Sequence, residues 1–227
     1  MPDPNATHLD SGLNQAMCIL AQDPHVIFVG QNVEYGGNVS YKHLEGVPPD
    51  RRLELPVMED VQMGFSIGLS LSGYIPVSVY PRMDFLILAC NQLVNHLDKL
   101  RVMSRGQYTP GVIIRTRVGG TTPLNAGPQH TQDHTEALRL MLRHVAVDRI
   151  VSDNQAVDTY VNALRRAIRG HSTVVVEAID TWDRDRLGDQ DDDYDPLYEP
   201  DPAASRVAVE LALAARETDR QIMEAGE

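Results

Sequence analysis

Apolar residues along the chain fall into short continuous runs that alternate with stretches of helical spacing. Residues 11–22 carry apolar side chains three and four apart, which predicts a helix. VIFVG at 26–30 is a short apolar run ending in glycine and predicts a strand. The region 31–54 is polar and rich in Gly, Pro and Asn, which predicts a long functional loop. LPVMEDVQMGFSIGLSLSG at 55–73 reads as a strand end, a turn and a helix. IPVSVY at 75–80 predicts a second strand, 84–103 a long helix, and GVIIRTR at 111–117 a third strand. After the glycine-rich loop from Val118 to His134 come a helix at 135–144, a strand at 147–151, a helix at 154–170 and a last strand at 172–179. Strands alternating with helices imply an α/β fold: a mostly parallel sheet with helices on both faces. The residues after 182 divide into a linker at 183–202 and a periodic terminal helix at 203–227, leaving 1–182 as the α/β domain.

Charge narrows the partners. The net charge is −12, and the stretch GDQDDDYDPLYEPDP at 188–202 contains no base, so it reads as a solvated linker or a docking arm. Phosphate backbones demand concentrated Lys and Arg, so nucleic acid is not expected as a partner. The longest apolar runs fall short of the roughly 20 residues of a membrane helix, and no membrane is expected. The N-terminal residues lack a basic and then apolar leader pattern. Cys18 and Cys90 stand far apart with no CxxC pair, which predicts neither a zinc site nor a disulfide framework and fits a reducing cytoplasm.

Ligands of parallel sheets bind beyond the carboxyl ends of the strands. The loops at 30–45, 56–60 and 118–134 therefore hold the candidate chemistry. GxGxxG, GxxxxGK[ST] and GxSxG are all absent, which removes dinucleotide, phosphate-loop and serine-hydrolase readings. Gly64, Gly68 and Gly73 are unexpected in an apolar helix, where each glycine costs about 1 kcal/mol against alanine. Close packing of the helix backbone on a partner chain would offset that cost. Taken by itself, Glu59-Asp60 reads as a helix N-terminal cap. Arg115 and Arg117 share one face of their strand, either within the core or as a joint anion site.

Glu59, with Pro56 three positions before it and Gly68 and Gly73 after it, resembles the pyrimidine-binding domain of transketolase-type thiamine diphosphate enzymes. The likeness is closest to the β subunit of the 2-oxo acid (pyruvate) dehydrogenase first component. Three further segments agree in order: VIFVGQNVEYGGNVSY, GYIPVSVYPRMDFLILACNQLVNHLDKL and GPQHTQDHTEALRLMLRHVAVDRIV. The likeness covers residues 12–180 and implies a thiamine diphosphate-binding fold.

The resemblance assigns Glu59 to the ring nitrogen of the cofactor's aminopyrimidine, where a shared proton favours the imino tautomer that activates the thiazolium carbon. It puts Tyr80, Met83 and Phe85 against the pyrimidine and brings the loop histidine, His130, to the reacting centre. His134, Gln129 and Tyr35 are weaker candidates for substrate contact. Gln31 and Asn32 stand where the family often has an acid, which questions a proton relay through that position. No metal ligand is expected in this chain. Mg²⁺ and the diphosphate would be held by a diphosphate-binding-domain subunit, in an α2β2 heterotetramer. The implied function is a split, transketolase-like transferase, carboligase or decarboxylase acting on a 2-oxo acid or ketose. The alternatives are a pyruvate dehydrogenase β-like subunit delivering an acyl group to lipoamide, and a non-catalytic scaffold. The lack of a third, C-terminal domain in the sequence weighs toward the free-standing enzyme.

Overall fold

Branched apolar residues dominate the runs near residues 28, 77, 114 and 175, and each becomes a strand buried on both faces. The computed structural model describes residues 11–35, 39–120 and 127–178. The strands are β1 (Val26–Gly30), β2 (Arg52–Glu54), β3 (Ile75–Tyr80), β4 (Ile113–Arg117), β5 (Ala146–Ile150) and β6 (Thr173–Glu177). They form one parallel sheet in the order β2-β1-β3-β4-β6-β5. The acidic stretch, the terminal helix and the boundaries proposed after residue 180 lie outside the described residues.

Two cores flank the sheet. Helices α1 (Gly12–Leu20) and α7 (Ala156–Ile168) cover one face, with Leu13, Met17, Leu20, Tyr160 and Leu164 against Phe28, Val77, Ile113 and Val175. Helices α3 (Glu59–Leu71) and α6 (Thr135–Met141) and the segment after β3 cover the other, with Met63, Leu86, Leu93 and Leu138 against Ile114, Val174 and Val176. Ile113 and Ile114 fall in different cores, as the two-residue period of a strand requires. No helix among the described residues is long and apolar enough to cross a membrane.

The structure departs from the sequence reading at three places. The supposed loop 31–54 contains α2 (Val39–Lys42) and the edge strand β2. That strand is polar and half-buried, so it lacks an apolar run; its last residue, Glu54, accepts the backbone N–H groups of Asn32, Val33 and Glu34 at 2.7, 2.7 and 2.9 Å. Gly73 lies past the end of α3 with φ +93°, a left-handed stop that glycine adopts without strain, rather than inside the helix.

The expected helix 84–103 is broken into α4 (Met83–Leu86), a 3₁₀ turn (Ile87–Ala89), a π-helical turn (Asn91–Leu97) and α5 (Leu100–Met103). The wide turn, closed by Asp98 N–H on the Leu93 carbonyl at 3.0 Å, keeps Leu93 and Leu97 on the sheet and turns Asp98 inward. Asp98 Oδ1 then accepts the backbone N–H groups of Arg143, His144 and Val145 at 2.9, 2.7 and 3.0 Å. Asp98→Ala strands these donors and is expected to cost about 1–3 kcal/mol. The check is a lower urea midpoint with an unchanged slope.

Candidate active site

Because every strand runs the same way, the loops that follow β1, β3 and β4 meet at one edge of the sheet, as does the turn before α3. Glu59 opens α3 and is 5% exposed. Its Oε1 accepts from Gln31 Nε2 at 3.1 Å, and its Oε2 has no hydrogen bond among the described residues. Neither acid caps its own helix: Glu59 turns to Gln31, and Asp60 Oδ2 accepts from Gln92 Nε2 of the π-helical turn at 3.3 Å. The cap reading of the pair is thereby displaced.

The floor beneath Glu59 is rigid. Gln62 Nε2 donates to Ser78 Oγ at 3.1 Å and to the Val79 carbonyl at 2.9 Å, and Ser66 Oγ donates to Ser78 Oγ at 2.9 Å. Gly30 has φ +136°, and a Cβ there would lie 2.3 Å from the Val79 carbonyl, so only glycine allows this approach of β1 to β3.

Tyr80 ends β3 and its hydroxyl donates to the Glu59 carbonyl at 3.3 Å. Burial raises its pKa well above the usual phenol value and the nearby Glu59 and Asp60 carboxylates add to this, while the Ser78 hydroxyl opposes it; the phenol keeps its proton. The sequence reading gave Tyr80 and Met83 to a ligand's ring face, but each is about 1% exposed and lies inside the α3-side core. Tyr80 therefore braces the start of α3 from below. Met83 Sδ accepts the backbone N–H of His134 at 3.1 Å.

Phe85, by contrast, is half-buried and meets His130 edge to face, with ring centres 5.5 Å apart and planes at 88°. His134 is half-buried, and its Nε2 is enclosed with no hydrogen-bond partner among the described residues. Gln129 is exposed, and Tyr35 is 67% exposed on the loop after β1. The fold thus joins Glu59, Gln31 and Tyr80 in one group and Met83, Phe85, His130 and His134 in another, with only residues 81 and 82 between Tyr80 and Met83. Arg115 and Arg117 share the α7 face of the sheet, as expected, but both are buried; Arg115 is bound to Glu177 in the core, well inside the protein.

Sequence reasoning missed Asp84, which is 9% exposed and accepts at Oδ1 from Gln132 N and Nε2 at 3.3 and 2.9 Å. An acid between Met83 and Phe85 in an apolar run was the available signal.

The chain is an α/β domain with one parallel sheet, a buried carboxylate at the head of its third helix and an aromatic–histidine pair on the loops after β3 and β4. The family described as "Transketolase, pyrimidine binding domain" matches residues 9–178, and the chain belongs to it. The chloroplastic pyruvate dehydrogenase E1 component subunit beta-3 of Arabidopsis thaliana is 32% identical over 176 residues, covering 74% of this chain and 40% of the relative. The pyruvate dehydrogenase E1 component subunit beta of Staurastrum punctulatum is 30% identical over 176 residues, covering 74% and 49%. The chain thus spans less than half the length of these relatives. A solved structure described as a split gene transketolase, inactive beta4 tetramer, shares the fold with a TM-score of 0.56 and 18% identity, over 73% of this chain and 49% of that one.

Proposed function

We propose that this chain is the pyrimidine-domain part of a split, thiamine diphosphate-dependent enzyme of the transketolase type. It acts on a 2-oxo acid or ketose and passes the two-carbon or acyl fragment to an acceptor. One observation carries the reading: Glu59 is buried at the head of α3 with one carboxylate oxygen held by Gln31 and the other without a hydrogen bond among the described residues. A mostly buried carboxyl group, one oxygen of which is bonded by no described residue and is not among the enclosed polar atoms, suits a heterocyclic nitrogen that shares a proton, so these residues fit the cofactor.

When bound, thiamine diphosphate supplies a thiazolium carbon that becomes a nucleophile toward a carbonyl. Glu59 holds the proton exchanged with the pyrimidine nitrogen, and Gln31 fixes the orientation of its carboxyl group. Phe85 offers the half-buried ring beside that position, backed by Met83 and Tyr80 from the core. His130 moves protons at the reacting centre, with His134, Gln129 and Tyr35 as outlying substrate contacts. Mg²⁺ and the diphosphate belong to a partner domain, in an α2β2 assembly.

The surface of α3 supports a partner. Val57 and Met58 before the helix and Val61, Phe65 and Leu71 on it are 74, 50, 56, 40 and 47% exposed, and at Gly68, between Phe65 and Leu71, a Cβ would meet nothing within 4 Å. An apolar stripe of this kind on a water-soluble fold is a contact surface. The names of the curated relatives favour a second reading, a pyruvate dehydrogenase β-like subunit that delivers its acyl group to lipoamide. A scaffold that kept only the fold would have no use for Glu59.

The experiment is to capture the native assembly through a tag on this chain, then add thiamine diphosphate, Mg²⁺ and a panel of 2-oxo acids and ketoses. Cofactor-dependent carbon–carbon cleavage is expected only with the second polypeptide present. A lipoyl-bearing protein in the assembly would select the second reading. An assembly that neither binds thiamine diphosphate nor cleaves any donor would end both.

A further inference from the structure

The loop carrying His130 is held from one short segment, residues 82–85, which follows β3. A Cβ built on Gly119 would lie 1.9 Å from the His130 carbonyl and 2.7 Å from Arg82 Nη1, so the loop after β4 threads between them. Met83 takes the His134 N–H on its sulfur at 3.1 Å, and Phe85 takes the His130 ring edge to face. Asp84 alone contributes a carboxylate, accepting both the backbone and side-chain N–H groups of Gln132, two residues beyond His130. Among the described residues, further bonds of 127–134 close on the loop itself or lead elsewhere. His130 N–H and Thr131 Oγ1 both turn back to the Gly127 carbonyl at 3.0 and 3.2 Å, and Asp133 reaches Arg149 at 3.1 Å on the edge strand.

We propose that Asp84 is the positioning residue of this site: through Gln132 it fixes the loop that sets the His130 ring against Phe85. A hydrogen bond to a carboxylate is about twice as strong as one between neutral groups, whereas a thioether sulfur is a weak acceptor. Asp84 is 9% exposed, so water competes little for its oxygens. The Met83 and Phe85 contacts then refine a placement that the Asp84–Gln132 pair determines. The inference rests on the proposed function only for what His130 does, and the placement can be tested without it.

The measurement is the nuclear Overhauser contact between the ring protons of Phe85 and His130 in the full-length chain, with His130→Gln used for assignment. The contact is expected in the wild type, lost in Asp84→Ala, and restored in Asp84→Asn, whose amide oxygen still accepts both Gln132 donors. Gln132→Ala removes the 2.9 Å bond from an exposed position and should weaken the contact even if Asp84→Ala fails to fold. A contact that persists in Asp84→Ala, or that is undiminished in Gln132→Ala, would overturn the proposal, as would its loss in Asp84→Asn. A contact that tracks Asp84 in an assembly without thiamine-dependent cleavage would uphold the placement and remove only the function.

Discussion

Arg115→Leu is expected to destabilise the domain by about 3–5 kcal/mol, because it leaves a buried carboxylate without its countercharge. Arg115 is 1% exposed; its Nε donates to Glu177 Oε1 at 2.7 Å and its Nη2 to Glu177 Oε2 at 3.3 Å. Nη2 also donates to His43 Nδ1 at 2.9 Å, and the Tyr160 hydroxyl donates to Glu177 Oε1 at 2.7 Å. The network ties β4 and β6 to α7 and to His43, the residue after α2. Urea unfolding at neutral pH reads the loss. Arg115→Leu combined with Glu177→Leu should recover most of it, since two apolar residues leave no unpaired charge.

The same pair sets a dependence on pH. Burial pushes the Glu177 pKa up, but the Arg115 charge and hydrogen bond, aided by His43 and Tyr160, outweigh burial and hold it below the usual carboxylate value. A depressed folded pKa contributes stability that is present above the unfolded value, about 4.3, and lost as pH falls through the folded one. In Arg115→Leu burial is opposed only by His43 and Tyr160, and protonation of Glu177 relieves the defect. The stability gap between wild type and variant should therefore narrow as pH falls, beginning above about pH 4.3, where the variant's Glu177 takes up its proton, and continuing below it as the wild type loses the Arg115–Glu177 contribution. A gap that stays constant to pH 3 would contradict this account.

Glu59→Gln is expected to lower thiamine-dependent turnover of the reconstituted assembly by about 10²–10⁴-fold, the usual weight of a positioned acid–base group. Stability should barely change, because glutamine keeps the shape and its amide oxygen can still accept from Gln31 at the observed 3.1 Å. An unfolding midpoint near that of the wild type, together with the lost rate, would separate chemistry from folding. Turnover within threefold of wild type would leave Glu59 without the role proposed for it.

These two residues differ in how legible they were. Glu59 stood out because its spacing from Pro56 and Gly68 joined three other collinear segments. Its partners were hidden: Gln31 lies 28 positions away and reaches it only because β1 pairs with β3 in register, Val29 beside Ser78 and Gly30 beside Val79. Arg115 was readable as sharing a face with Arg117, yet the choice between core and anion site needed Glu177, which is brought alongside by the pairing of β4 with β6. Tyr80 and Phe85 look alike as aromatic candidates in sequence. One ends a central strand and is enclosed, while the other lies past it and reaches the surface beside His130.

Periodicity alone determined the alternation of strands and helices, and hence the parallel α/β class, since local spacing decides which face of each element is apolar. Glu59 and His130 became candidates only through the family resemblance carried by four collinear segments. Tertiary structure decided the short polar strand β2, the π-helical turn that aims Asp98 and the hold of Asp84 on the His130 loop. Each of these depends on hydrogen bonds between residues at least 20 positions apart, and such bonds leave no periodic trace in the sequence.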